Sequence, residues 1–305
     1  MRITLDMLTD RVRTHLLESS ERLLKAQDRA SSGKRIQRPS DDVVGTGRSL
    51  QFRSALKSIE QFDRNANFSS NQLSVISSAL DSIVSAVQDV RSLALRGASS
   101  IITDESRAAL AAQLDQTISQ IADLVNTQYA GRYIFGGKIT NQPPIAKNPA
   151  GTPPYVYQGD SGQLKIRIGP SLYVDAGVRG DVVLNIYGAS TPSSPDLFQT
   201  IQTIRDKILA ADVNGISQEI ANVDSVLANI VALRSQVGGR VSRLDSTIQA
   251  LSESKTRVQE LLSKTEDVDL AEAIVELRMR ENVYQAAVTV ANRVLNISLF
   301  NSSTY

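Results

Sequence analysis

The chain has 305 residues, 41% of them hydrophobic, enough for two or three domains with a buried core. It has no Cys and a single His, which excludes disulfides, thiolate metal sites and any centre built on several histidines. Its 33 basic and 32 acidic residues leave a net charge of +1, so no global field draws it to nucleic acid or to an anionic membrane.

The first residues do not read as a cleavable secretory signal, because Asp6, Asp10 and two Arg interrupt every apolar run. Nor does any stretch read as the roughly 20 apolar residues of a membrane span. Instead Leu5, Leu8, Val12, Leu16 and Leu23, continued by Ala26 and Ala30, recur at steps that place them on one stripe of an amphipathic helix. A short basic cluster, Lys34, Arg35 and Arg38, lacks the aromatic interleaving of a nucleic-acid stripe and reads as a solvated linker or a contact between subunits. Asp41 and Asp42 follow Pro39 and Ser40; two acids there suit the positive end of a helix dipole better than a carboxylate pair for catalysis.

Between Arg48 and Arg96 there is neither Gly nor Pro, and Leu73, Ile76, Leu80, Ile83, Val87, Val90 and Ala94 step by three and four. A helix of that length belongs in a rod or bundle. A second helix is expected over 104–129, on the stripe Leu110, Leu114, Ile118, Ile121 and Val125, with Gly97 and Gly131 as stops. The texture then changes. Most of the Gly, Pro and Tyr residues fall between Tyr129 and Pro195, where residues 155–157, 164–168 and 182–187 read as short strands of a β-rich insert.

Helix resumes after Ser194, a candidate N-cap, with Pro195 at the first helical position. Asn214-Gly215 is expected to break it, and a long seam then runs over 216–264. Gly238-Gly239 inside that seam predicts a kink or a close helix approach. The last helix has two possible capping pairs, Ser263 with Glu266 or Asp269 with Glu272. Its stripe is Leu270, Ile274, Leu277, Tyr284, Val288, Ala291 and Leu295, with Leu299 and Phe300 beyond. If the insert lies at one tip, both chain ends return to the other and their stripes meet.

The fold class that follows is mainly α with a small β-rich insert, a long antiparallel helical bundle formed by both chain arms and coiled-coil helices at the termini. Three domains are expected: a terminal assembly domain of residues 1–40 and 266–305, a bundle core of 41–131 and 196–265, and the insert, 132–195. No catalytic, metal or cofactor site is legible, since His15 has no partner histidine and Gly136-Gly137 belongs to no phosphate-binding loop. Tyr155, Tyr157, Tyr173 and Tyr187 of the insert could serve recognition, although Tyr in short strands more often packs.

Several segments carry a family resemblance. Gly33-Lys34-Arg35-Ile36 followed by Pro39-Ser40-Asp41-Asp42 looks like the N-terminal signature of the flagellin superfamily. Gly131-Arg132-Tyr133-Ile134-Phe135-Gly136-Gly137 and Ser298-Leu299-Phe300 are similar to its hook-associated members, which join the flagellar hook to the filament. Val43 stands where the family commonly has Pro, and Pro144-Ile145 where Pro-Phe is frequent. The resemblance covers both helical arms and implies a non-enzymatic structural protein of the bacterial flagellum, exported without a cleavable signal and located outside the cell. It further implies copies arranged in a ring, with another hook-associated protein on the hook side and flagellin on the filament side. The C-terminal helix would be offered to an export chaperone. A filament flagellin is the nearest alternative.

Overall fold

The computed structural model describes residues 5–99, 102–148, 155–185 and 196–302, with side chains for all of these but 5, 6, 8 and 295–302. The helices are α1 (Leu5–Ser32), α2 (Val43–Gly97), α3 (Asp104–Val125), α4 (Gly180–Val183), α5 (Leu197–Leu209), α6 (Val213–Glu266) and α7 (Leu270–Ser302). Between α3 and α4 lie strands β1 (Gln128–Tyr129), β2 (Arg132–Tyr133), β3 (Ile145–Lys147), β4 (Tyr155–Tyr157), β5 (Lys165–Arg167) and β6 (Tyr173–Asp175). They pair in chain order as three antiparallel two-stranded ladders. The fold is therefore mainly α with a small β-rich insert, as the periodicity implied. The chain forms two compact units, Ile59–Glu253 and Met1–Ser58 with Ser254–Tyr305, so the boundary between them falls inside α2 and α6.

The larger unit is a helical bundle around the stripe of α2. Leu73, Ile76, Leu80, Ile83, Val87 and Val90 are wholly buried, and α6 runs antiparallel beside them. Three polar pairs at equal spacing on both helices fix that register: Ser70 with Asp245 at 3.4 Å, Asp81 with Arg234 at 2.5 Å and Arg91 with Asp224 at 2.6 Å. α3 and α5 are joined likewise, through Asp115 and Arg205 at 2.9 Å. At Gly97 a side chain would run into Ile208 at 2.5 Å, so glycine there lets α5 close against the end of α2. One window of α2 reaches a mean hydropathy of 1.2, apolar enough by composition to cross a membrane, contrary to the sequence reading; half of it is buried inside the protein, and its apolar stripe lines this core.

The insert does not sit at the tip of the bundle. The chain reverses between the end of α2 and the start of α3, and again at residues 210–212, while the insert lies along the flank of α2 and α6. Arg167 stacks over the Phe62 ring at 5.6 Å, Asn65 donates to the Arg167 carbonyl at 2.7 Å, and Arg240 of α6 donates to the Gly177 carbonyl at 3.3 Å. Phe68 meets Tyr129 with ring centroids 5.7 Å apart. The strands expected over 155–157 and 164–168 are present as β4 and β5. Residues 182–185 are not strand: Val182 and Val183 close α4, and Asn185 adopts a φ of 53°. The ion pair of Arg179 with Asp181 and the Gly180 N–H donating to the Phe135 carbonyl at 2.8 Å start that turn.

Helix ends differ from expectation for local reasons. α3 stops at Val125, because residues 128–133 form a tight hairpin whose two loop residues, Ala130 and Gly131, both have positive φ. α5 is capped by Asp196, whose side chain accepts from the Phe198 N–H at 2.8 Å; Ser194 and Pro195 lie outside the described residues. The break before α6 is at residues 210–212, where Ala211 has a φ of 59°. Asn214-Gly215 instead sits in the first turn of α6, capped by Asp212. Gly238 and Gly239 neither interrupt α6 nor admit a neighbour: both are exposed, with nothing within 4 Å of where a side chain would be.

Candidate assembly interface

In the smaller unit α1 and α7 run side by side. The α1 seam is Val12, Leu16, Leu23 and Ala30, all half-buried, with Ala26 buried. Facing it on α7 are Ala273 and Ala291, both buried, with Leu277, Tyr284 and Val288 half-buried. Steps alternating between three and four give the narrow seam of a coiled coil, and alanines in it allow close approach. Arg29 and Glu276 bridge the two helices at 3.7 Å.

Two residues expected in this seam fall outside it. Leu270 is 54% and Ile274 48% exposed; Ala273 takes the inward position because the stripe drifts around the helix by one residue. The side chains of Leu5, Leu8, Leu295, Leu299 and Phe300 lie outside those described, although all five positions are helical. A second stripe was missed. Val275, Met279, Val283 and Val290 are 49–68% exposed, and at 100° per residue they lie on the side of α7 opposite the seam. On α1, Leu17 and Leu24 are 63% and 57% exposed. The signal was readable: α7 is apolar on two faces, which a search for one stripe overlooks.

The signature residues build the joint between these helices and the adjoining ends of α2 and α6. Gly33 ends α1 with a φ of 68°, its N–H donating to the Arg29 carbonyl at 3.0 Å. Pro39 and Ser40 are the corner of a turn closed by the Asp41 N–H donating to the Arg38 carbonyl at 2.9 Å. The Asp41 carboxylate accepts from the backbone of Arg38 and Gln37, which lowers its pKa. Asp42 accepts from the Gly45 N–H at 2.8 Å and so caps α2. A side chain at Gly45 would collide with Asp42 and with Ile36. That cap explains why α2 begins at Val43 and takes in two glycines, earlier than the Gly-free stretch suggested.

In the basic cluster Arg38 is exposed, while Lys34 and Arg35 are half-exposed and make contacts within the chain. Arg35 donates to Asp42 at 3.2 Å and to the Thr265 carbonyl at 2.9 Å, while Lys34 reaches Glu266 at 2.8 Å. Glu266 is the last residue of α6 and is 3% exposed. Its carboxylate also takes both ends of the Arg53 fork, at 2.9 and 2.7 Å, and the Ser49 hydroxyl. These bonds, from Arg53 foremost and then Lys34 and Ser49, hold its pKa down at about 2 against the opposing effect of burial. Of the two capping pairs weighed for the last helix, Asp269 is the one used, accepting from the Ala271 N–H at 2.8 Å.

The second signature segment anchors the insert. Ile134 and Phe135 are buried, and the Phe135 carbonyl accepts from the Tyr157 hydroxyl at 3.0 Å as well as from Gly180. Tyr133 pairs with Gln128. The Gly136 carbonyl accepts from the Asp160 N–H, and Gly137, at a φ of 71°, leads into the Lys138 N–H that donates to the Asp160 side chain. Tyr155 stacks on Phe198 with centroids 4.8 Å apart. Half-burial, and then the Asp181 charge it faces, push the Tyr157 pKa up to about 12. These two tyrosines pack; Tyr173 is exposed, and Tyr187 lies outside the described residues. His15 is exposed on α1. A cavity of about 170 Å³ beside the insert is lined by Val178, Val237, Arg179 and Arg240 among others, with no carboxylate or nucleophile in its wall.

Comparison with known proteins agrees with this layout. Residues 3–140 match the bacterial flagellin N-terminal helical region, and residues 220–301 the bacterial flagellin C-terminal helical region. Flagellar hook-associated protein 3 of Salmonella typhimurium is 24% identical over 98% of this chain and 99% of its own length. Flagellin FlaB1 of Treponema pallidum is 23% identical over 87% of this chain and 86% of its own. A solved structure of a hook-associated protein from Vibrio parahaemolyticus has the same fold, with a TM-score of 0.66 and 22% identity. It covers 74% of this chain and 100% of that one.

Proposed function

Because the chain belongs to the bacterial flagellin family, the structural proteins of the flagellum, we propose that it is the subunit joining hook to filament. Copies assemble as a ring through α1 and α7 and offer a platform on which the filament grows. The observation that supports this most is the second stripe of α7. One face of the helix is covered by α1 of the same chain; the other, from Val275 to Val290, is uncovered. Burying such a side chain from full exposure is worth about 1.5–3 kcal/mol, and each of these is still 49–68% exposed, so a neighbouring copy would supply the remaining part. Ordering of the terminal helices is thereby coupled to association. Leu270, Ile274 and the terminal residues Leu295, Leu299 and Phe300 belong to this contact.

The ring meets another hook-associated protein on the hook side and flagellin on the filament side. Before assembly, the same C-terminal helix is held by an export chaperone, and the chain leaves the cell without a cleavable signal. The hook-associated relative matches over nearly the full length of both proteins, which supports the junction over the filament itself. Removal of residues after Asp269 tests the assignment. It is expected to leave a soluble helical core that neither enters the flagellum nor binds the chaperone; normal filament growth from such cells would sink the reading. The second reading, a filament flagellin, draws on the FlaB1 similarity and requires the protein to be abundant in sheared filaments.

A further inference from the structure

The joint around Glu266 has a property that neither helix pair explains. The side-chain donors to Glu266 all come from the other end of the chain, Lys34 being 232 residues away. The exchange is reciprocal. The backbone N–H groups of Arg35 and Ile36 donate to the Glu266 carbonyl at 2.7 and 3.4 Å, while the Val268 N–H donates to the Gly33 carbonyl at 3.0 Å. Lys34 and Asp267 form an antiparallel bridge between them. The last two carbonyls of α6, those of Thr265 and Glu266, which no helix can satisfy internally, are thus capped by the other arm.

Charge follows the same order. Within residues 33–42 the cations come first and lie at the C-terminal, negative end of α6, and the acids come last and lie at the N-terminal, positive end of α2. The side chain of Glu266 is 4% exposed, yet those of Lys34 and Arg53, which wrap it, are 41% and 53% exposed. Water can therefore replace the donors one by one. An apolar seam has no such route.

We propose that residues 33–42 and Glu266 form a buckle, a joint that only the two ends of one chain together can close, and that its closure keeps α1 and α7 in register. The inference rests on the assembly reading only in choosing flagella as one place to look for the closed state. It has a direct probe, since two of the clamped residues, Lys34 and Arg35, are cleavage sites for trypsin, whereas Arg38 is shielded by Pro39.

Limited trypsin digestion of the purified full-length chain, and of flagella assembled with it, reads the buckle by mass spectrometry. Glu266→Gln keeps the shape and removes the charge, Arg53→Gln removes the fork, and Leu80→Ala weakens the bundle core as a control. Cutting after Lys34 and Arg35 is expected to rise at least threefold in both joint variants in one or both preparations. The double variant should be cut no faster than the quicker single. A rise below threefold in both preparations overturns the proposal, and so does an equal rise in Leu80→Ala or an additive double variant. Absence of the protein from the hook–filament joint would refute the assembly reading and leave the result on purified chain intact.

Discussion

A carboxylate bonded at once by Arg53, Lys34 and Ser49 changes protonation far from the usual range, and Glu266 is held at about 2. Its folded pKa lies below the unfolded value near 4.5, so its contribution to the joint is present above that value and is lost as pH falls toward 2. Protection of the amides of residues 33–36 against exchange, relative to the intrinsic rate at each pH, is expected to fall over that window in the parent. Glu266→Gln should already exchange fast at neutral pH and show no further step. Asp196 behaves in the opposite sense. Burial pushes its pKa up to about 6, above the unfolded value, so the folded chain loses stability as pH rises from about 4 through 6. Asp196→Asn keeps an oxygen acceptor for the Phe198 N–H and removes the charge. It is expected to flatten that dependence and to raise stability at pH 7 by about 1–3 kcal/mol, measured by urea unfolding.

Among the elements, α6 presents a clear test. Gly238 and Gly239 are exposed within an unbroken helix and meet nothing, so replacing each by Ala should stabilise the purified chain by roughly 0.5–1 kcal/mol. A loss of stability on thermal unfolding would show that the pair serves a packing need within the chain. The long helices were legible in the sequence because a stripe such as Leu73 to Ala94 repeats over many turns. Their ends were less so: Asp42 and Asp212 start α2 and α6 by capping, and each helix then includes glycines that read as breaks. The strand expected at 182–187 is not formed over its described residues 182–185, because the hydrogen bond of Gly180 to the Phe135 carbonyl, 45 residues back in the chain, starts a helical turn that outweighs the β propensity of two valines. The seam of α1 was readable from spacing alone, whereas the Glu266 joint depends on a distant pairing that no local pattern encodes.

For the whole molecule, a division of labour follows from where apolar surface is satisfied. The unit Ile59–Glu253 buries its long stripes internally, so it is expected to fold without the terminal helices. A chain lacking residues after Asp269 should keep the helical circular dichroism of α2, α3, α5 and α6 and the thermal unfolding of that unit. Large loss of helix beyond the deleted residues would contradict this independence. The terminal helices keep apolar surface in reserve, and in the proposed ring that reserve is covered by neighbours. Immuno-gold labelling of isolated hook–filament structures tests this account most directly: it predicts a single band at the joint between hook and filament, and label spread along the filament would contradict it.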